Sequence, residues 1–404
     1  SRTFEIKVEK ELFGKYHTQD QLVFLPQGRD LIPFINAMGT YSEKYSLIDH
    51  PEYFSLLRQS LLQQFEPNAS VERLIAYFKP EIVLFPVTGV ESTGTELVFL
   101  SKKYGFKTYF LINGWDNLSS KGAFPLLPDF MGLWGPQSQN DACQIHGMRP
   151  HQCILLGCSR YEVYFDSTMS NELLFPHKYI LFAGATIPND EITPLKIMDE
   201  VLEDLQIHDI QVVYRPHPWR DKRNCYDLFE KDQYKHTIMD PQVEDDYYQN
   251  KRDNKESPSV LHFPELKYYP SLVNHSQFIV SPMSSMILEA GLFDVPALVL
   301  AHDDGYHAIP GNLISQFCHF EGCQQVPGWF FANRLPEIQS LFRWMVTRFK
   351  DDTVDQRPYR PVLSSAMQQY HYHDERSYAK RLLDSINLIH AQNQHDEMLK
   401  SIHT

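Results

Sequence analysis

Two short segments hold the residue types best suited to chemistry. Arg215-Pro216-His217-Pro218 follows the apolar run Gln211–Tyr214. Arginine offers a planar fork of donors that fits phosphate, and histidine a donor that can also carry charge. The flanking prolines stiffen the turn and limit the entropy lost on binding. The second segment runs from Ser281 through Ser284 and Ser285 to Glu289. Its pattern predicts a strand ending at Val280, a serine-rich turn and a helix from about Ser284. Hydroxyls at a helix N-terminus, with its positive dipole end, suit a phosphate. Glu289 falls one helical turn after Ser285, where a carboxylate can accept both hydroxyls of a ribose. Each piece also has a plain structural reading: a histidine held by prolines, an N-cap serine, a solvated glutamate. Together they point to a nucleotide pocket.

A reaction at such a pocket needs a general base or a nucleophile. Glu91 follows a strand ending at Val87, and Asp116 follows one ending at Ile112. Both are expected at the carboxyl ends of parallel strands, with Lys121 near enough to balance charge. The structural alternatives are an N-cap for Glu91 and a turn-forming aspartate for Asp116. The acidic pairs in His302-Asp303-Asp304 and Glu244-Asp245-Asp246 give no metal motif, and the 18 histidines contain no HExxH, so no metal and no cofactor are expected. His371-Tyr372-His373 lies in a polar stretch and reads as surface. Neither a GxxxxGK[ST] loop nor a GxSxG elbow occurs, which argues against P-loop NTPases and α/β-hydrolases.

The elements that must position these residues alternate between strand and helix. Strand candidates are Gln21–Leu25, Glu81–Val87, Lys107–Ile112, Phe130–Trp134 and Cys153–Leu156, then Tyr179–Ala183, Gln211–Tyr214, His236–Met239, Gln277–Val280 and Ala297–Ala301. Helical spacing follows Glu91, with Gly105 placed as a C-cap, and recurs at Leu195, Met198, Val201, Leu202 and Leu205. Leu335–Phe349 and Asp374–Ile402 also read as helices, and the polar stretch 244–259 as a mobile loop. Two successive βα series imply an α/β chain of two doubly wound, Rossmann-like domains facing a cleft. The division is set at residues 1–165 and 166–404, with the terminal helices in the second domain and 162–178 as linker. The 37 Lys and Arg against 51 Asp and Glu leave a net charge of −14, so nucleic acid is an unfavourable partner. No apolar run is long enough to span a bilayer, and the start does not read as a signal peptide, so a cytoplasmic location is expected. A helix over Leu341–Lys350, mixing aromatics with Arg343, Arg348 and Lys350, allows peripheral contact at the inner face of the cytoplasmic membrane. Its plainer reading is a helix packed on the second domain.

The strand–RPHP turn followed by S-x-x-S-S-x-x-x-E-A and P-A-L resembles the C-terminal domain of GT-B glycosyltransferases, in particular the bacterial surface-polysaccharide group. Ile112-Asn-Gly-Trp-Asp-Asn-Leu-Ser-Ser-Lys-Gly122, Trp134-Gly-Pro-Gln-Ser138 and Leu156-Gly-Cys-Ser-Arg160 are similar to segments of its N-terminal domain. The resemblance covers roughly Glu81–Asp304. It implies that the second domain holds a nucleotide donor: Arg215 and His217 at its phosphates, Ser284 and Ser285 adding hydrogen bonds, Glu289 on the ribose, and Gly184 admitting close backbone approach. It implies acceptor contacts from Trp115, Asn117 and Lys121 in the first domain. The expected reaction is metal-independent transfer of a sugar to a saccharide or lipid-linked glycan in lipopolysaccharide or capsule synthesis. A CMP-sugar such as Kdo or sialic acid is mildly favoured by the His-Pro element. The alternatives are a UDP-sugar 2-epimerase of the same fold, a polyol-phosphate transferase, and a non-enzymatic glycan-binding subunit.

Overall fold

The computed structural model describes residues 65–88, 91–121, 124, 126–165, 173–185, 189–217, 229–253, 267–305, 311–350, 359 and 362–402. The strand expected at Gln21–Leu25 lies outside them. In chain order the elements are α1 (Ala69–Phe78), β1 (Ile82–Val87), α2 (Ser92–Tyr104), β2 (Lys107–Ile112), α3 (Asn117–Ser120), β3 (Phe130–Leu133), α4 (Pro136–Gln144) and β4 (Cys153–Leu155). There follow β5 (Lys178–Ala183), α5 (Ile192–Asp204), β6 (Ile210–Arg215), β7 (Thr237–Met239), α6 (Pro241–Asp253), α7 (Tyr268–Asn274), β8 (Ile279–Pro282), α8 (Ser285–Leu292) and β9 (Ala297–Leu300). The series closes with α9 (Gly311–Ile314), β10 (Trp329–Ala332), α10 (Leu335–Phe349), α11 (Val362–Met367) and α12 (Tyr378–Ile402).

Among the described residues the strands form two sheets, β1-β2-β3-β4 and β10-β9-β8-β5-β6-β7. Every pairing is parallel. The sequence dictates this. Runs such as TYFLI in β2 and YILFA in β5 are apolar on both faces, and a strand buried on both faces belongs to a parallel sheet covered by helices. Helix boundaries follow local chemistry. The Asn68 side chain accepts the Ser70 amide at the start of α1, and Gly105, at φ 81°, ends α2 by bonding back to the Ser101 carbonyl.

The chain divides into two compact units, 1–159 with 369–404, and 160–368. This departs from the division at 165 in one substantial way: α12 belongs with the first unit. Its Ile389 packs with Tyr109 and Leu156 of the first unit, its Arg381 donates to the Leu156 carbonyl at 2.8 Å, and Ser385 bonds the Tyr109 hydroxyl at 3.0 Å. His371, read as surface, is buried in this segment. Burial, with His373 and Arg381 adding to it, pushes its imidazole down to about 3. The mobile loop expected at 244–259 is corrected over 244–253, which belong to the helix 241–253; residues 254–259 lie outside the described residues. Pro241 sits at its first position, the Asp240 carboxylate accepts the Gln242 amide at 3.0 Å, and Val243 and Tyr247, four residues apart, enter the core of the second unit.

That core lies between the six-stranded sheet and α5 and α10. Helix α10 contributes Ile338, Phe342, Met345, Val346 and Phe349 to it, as an ordinary packed helix does. Its Arg343 pairs with Asp204 at 2.9 Å. No helix among the described residues is long and apolar enough to cross a membrane. Strand β10, WFFA, is an addition to the sequence reading; at four residues it is too short to show a period.

Candidate functional site

Because β5 to β9 run parallel, their carboxyl ends lie along one edge of the second sheet, where open α/β sheets bind ligands. The first feature there is Gly184, immediately after β5. Its amide donates to the Arg215 carbonyl at 2.8 Å. A Cβ at this position would stand 2.8 Å from both carboxylate oxygens of Glu191 and 2.9 Å from the His217 amide nitrogen. Only glycine fits. Glu191 is fully buried and is held by the Tyr214 hydroxyl at 2.7 Å and the Ala185 amide at 3.3 Å. Gly184, Ala185, Glu191, Tyr214 and the His217 amide are thus packed together.

Arg215 ends β6 and is buried. Its guanidinium is paired with Asp240 and donates to the Tyr269 hydroxyl, lying 4.2 Å over that ring. Asp240 is fully buried and also accepts the Tyr268 hydroxyl and the Gln242 amide. Burial, with Asp240 beside it, raises the Tyr268 phenol. Two of the nitrogens expected at a phosphate are therefore committed inside the protein, and the geometry gives Arg215 the role of bracing the turn. His217, two residues on, is half-buried.

The serine turn forms as the sequence implies. Ser281 is fully buried and its hydroxyl lies 2.9 Å from that of Ser284. Ser284 is the N-cap residue of α8 in extended conformation, with no capping bond from its side chain, and half-buried Ser285 opens the helix. Glu289 lies one turn further on. Its carboxylate accepts from the hydroxyls of Tyr164 and, at 3.3 Å, Tyr161. Burial raises its carboxyl above the usual range, against the lowering effect of Tyr164, Arg160 and Tyr161. Two tyrosines thus hold the carboxylate expected at a ribose. Last along the edge is His302, after β9. It is buried, and neither ring nitrogen has a hydrogen-bond partner among the described residues. Burial lowers it, against Asp304, Asp190 and Asp303. Asp304 accepts the Asp190 amide at 2.8 Å, tying this loop to the start of α5.

In the first unit, Glu91 and Asp116 both follow strand ends, β1 and β2, as expected. Glu91 is the N-cap residue of α2 but does not cap it; its carboxylate turns back to accept the Thr88 amide at 3.0 and 3.1 Å and the Thr88 hydroxyl at 2.5 Å. Asp116 accepts the Ser120 hydroxyl at 2.7 Å and the Asn117 side-chain Nδ2 at 3.4 Å. Trp115 is buried edge-on to Tyr370, ring centroids 5.9 Å apart. Asn117 is buried against Gly114, whose missing Cβ would lie 2.7 Å from its amide nitrogen. The Asn117 side-chain oxygen has no hydrogen-bond partner among the described residues. Lys121 is exposed just past α3.

Sequence reasoning missed Tyr161, Tyr164, Tyr268 and Tyr269, and took Glu191, Asp232 and Asp240 only as reserve carboxylates behind Glu91 and Asp116. The one signal available was the position of Asp240 and Glu191 after or between strand ends.

No protein-family model matches the chain, and no curated protein sequence matches it. Among solved structures, it is similar to UDP-GlcNAc 2-epimerase from Methanocaldococcus jannaschii at 13% identity and a TM-score of 0.46, over 87% of this chain and 83% of that one. It is similar to the calicheamicin glycosyltransferase CalG4 at 10% identity and a TM-score of 0.43, over 83% and 78%. It is also similar to the wall teichoic acid polymerase TagF at 13% identity and a TM-score of 0.42, over 74% and 71%.

Proposed function

We propose that the chain is a GT-B-type enzyme acting on a nucleotide-activated sugar, which it binds at the carboxyl edge of its six-stranded sheet. The observation carrying this is Gly184, where the backbone of one strand end is pressed against Glu191 and the His217 amide. That close packing fixes His217 at the carboxyl edge of the sheet, where open α/β sheets bind ligands. Ser284 and Ser285 at the start of α8 supply hydroxyls and a positive helix end for a phosphate. His217 is the phosphate partner, Arg215 braces it, and Glu289 takes the ribose once released from its tyrosines. A bound ligand would also satisfy His302, since buried polar groups are ordinarily hydrogen-bonded.

The reaction proposed is transfer of the sugar to a saccharide or lipid-linked glycan in surface-glycan assembly, with a cytidine nucleotide as the favoured donor. Glu91 or Asp116 supplies the general base, with Trp115, Asn117 and Lys121 contacting the acceptor. Thermal-shift measurements with CMP, CDP, UDP and GDP test the nucleotide site. Ligand at 100 times its Kd adds about 2.7 kcal/mol of stability. One nucleotide should stabilise the protein, and His217→Ala should abolish the shift while leaving the unliganded transition in place. A shift unchanged by H217A, or none with any nucleotide, would overturn the assignment. Product analysis with donor alone separates transfer from epimerisation.

A further inference from the structure

The opposite edge of the second sheet, where its strands begin, brings together Glu203, His208 and His236. Glu203 lies in the last turn of α5, His208 just before β6 and His236 directly before β7. The two imidazoles stack with centroids 5.5 Å apart and planes 25° apart. Glu203 Oε2 lies 3.0 Å from His236 Nε2. One ligand atom from each of the three residues lies within 4.8 Å of the other two.

We propose that Glu203, His208 and His236 form a zinc site, with two imidazole nitrogens and one carboxylate oxygen on the metal and water in the fourth position. Zinc bonds of about 2.0–2.2 Å set tetrahedral ligands about 3.3–3.6 Å apart. The widest pair therefore has to close by little more than about 1 Å and the Glu203–His236 pair, at 3.0 Å, to open slightly; Glu203 and His208 are exposed side chains with freedom to move. His236 is the fixed ligand. It is buried, and Asp199 accepts the amides of Lys235 and His236 at 3.0 and 2.8 Å and the Thr237 hydroxyl at 2.9 Å. These contacts fix the main chain at His236, from which its buried ring reaches the cluster. The Glu203 oxygens are already divided: Oε1 takes Lys235 Nζ at 2.7 Å, leaving Oε2 for the metal in place of its hydrogen bond to His236. Two imidazoles with one carboxylate select zinc over calcium or magnesium, which prefer all-oxygen sites. The site lies at the far ends of β6 and β7 from Arg215 and Asp240. Zinc there acts as a clip joining α5, β6 and β7, and the inference does not depend on the nucleotide reading.

The test uses the full chain, stripped of metal and with its thiols alkylated. Zinc is titrated in competition with a chromophoric chelator on the wild type, His208→Ala and Glu203→Ala. Both substitutions are at exposed side chains, and circular dichroism checks that the fold is kept. The wild type should bind one equivalent of zinc that each variant binds at least about 100-fold more weakly, with no comparable uptake of calcium or magnesium. Equal zinc binding by wild type and H208A, whether tight or absent in both, would overturn the proposal.

Discussion

Gly184→Ala isolates the packing on which the proposed site depends. The new methyl would meet both Glu191 oxygens at 2.8 Å and the His217 amide nitrogen at 2.9 Å. Ordinary contacts begin near 3.4 Å, so roughly half an ångström must be found. The backbone cannot easily supply it, because Ala183 pairs with Arg215 in the sheet and the Gly184 amide is bonded to the Arg215 carbonyl. Overpacking of this kind costs about 1–3 kcal/mol. If Glu191 swings away instead, the buried Tyr214 hydroxyl loses its acceptor, at about 1–3 kcal/mol. A destabilisation of about 2–4 kcal/mol is expected, measured by urea unfolding with hydrogen exchange of the β5 and β6 amides as a local check. A double-mutant cycle with Glu191→Ala sharpens the test. In that background two of the three contacts vanish, so the cost of G184A should fall by at least about 1 kcal/mol. Additive effects, or a G184A protein within about 0.5 kcal/mol of wild type, would refute the claim that glycine is required by this carboxylate.

The remaining predictions concern buried charge and protonation. Asp240→Ala leaves the Arg215 guanidinium buried without its ion partner and should cost about 3–5 kcal/mol in urea unfolding; a loss below about 1 kcal/mol would mean the pair is not as enclosed as it appears in the structure. His371 is held near 3 in the fold, below the value of about 6.5 for an unfolded chain. The unfolded state therefore binds the proton first, and this stability is complete above about pH 6.5 and declines toward pH 3 by about 1.4 kcal/mol per unit. His371→Leu should flatten stability measured between pH 7 and pH 5; parallel curves for the two proteins would contradict the burial argument.

The sequence shows the strands of both sheets well, because strands buried on two faces are short apolar runs between turn residues. Lys107–Ile112 and Leu335–Phe349 match their elements end to end. Helix α6 was hidden because its apolar side chains are few, Val243, Tyr247 and Tyr248 after Pro241, and the rest of its stretch is polar or charged. The local order of the candidate site was legible, with Gly184 after a strand, Arg215 at a strand end and Ser284 and Ser285 at a helix start. It was not legible where partners are distant in sequence. Asp240 braces Arg215 from 25 residues away, and Tyr164 reaches Glu289 across 125. The same distance effect hid Glu203, His208 and His236, which share no motif spacing. It also led to the wrong surface reading of His371, whose polar neighbours in sequence conceal its burial beneath the first unit's own helix.

The return of the last segment to the first unit has a consequence for vectorial synthesis. A chain leaves the ribosome from its N-terminal end, and units fold as they emerge. Residues 160–368 are continuous, so the second unit has all of its strands before α12 exists. The first unit has its four described strands early but must wait. Until Tyr378–Ile402 is translated, the apolar surface of Tyr109, Leu111, Phe130 and Ile154 lacks Ile386 and Ile389, and the Leu156 carbonyl lacks Arg381. The unit whose sheet is made first is thus the one completed last, carrying an unsheltered apolar face through the whole interval in which its neighbour is being built.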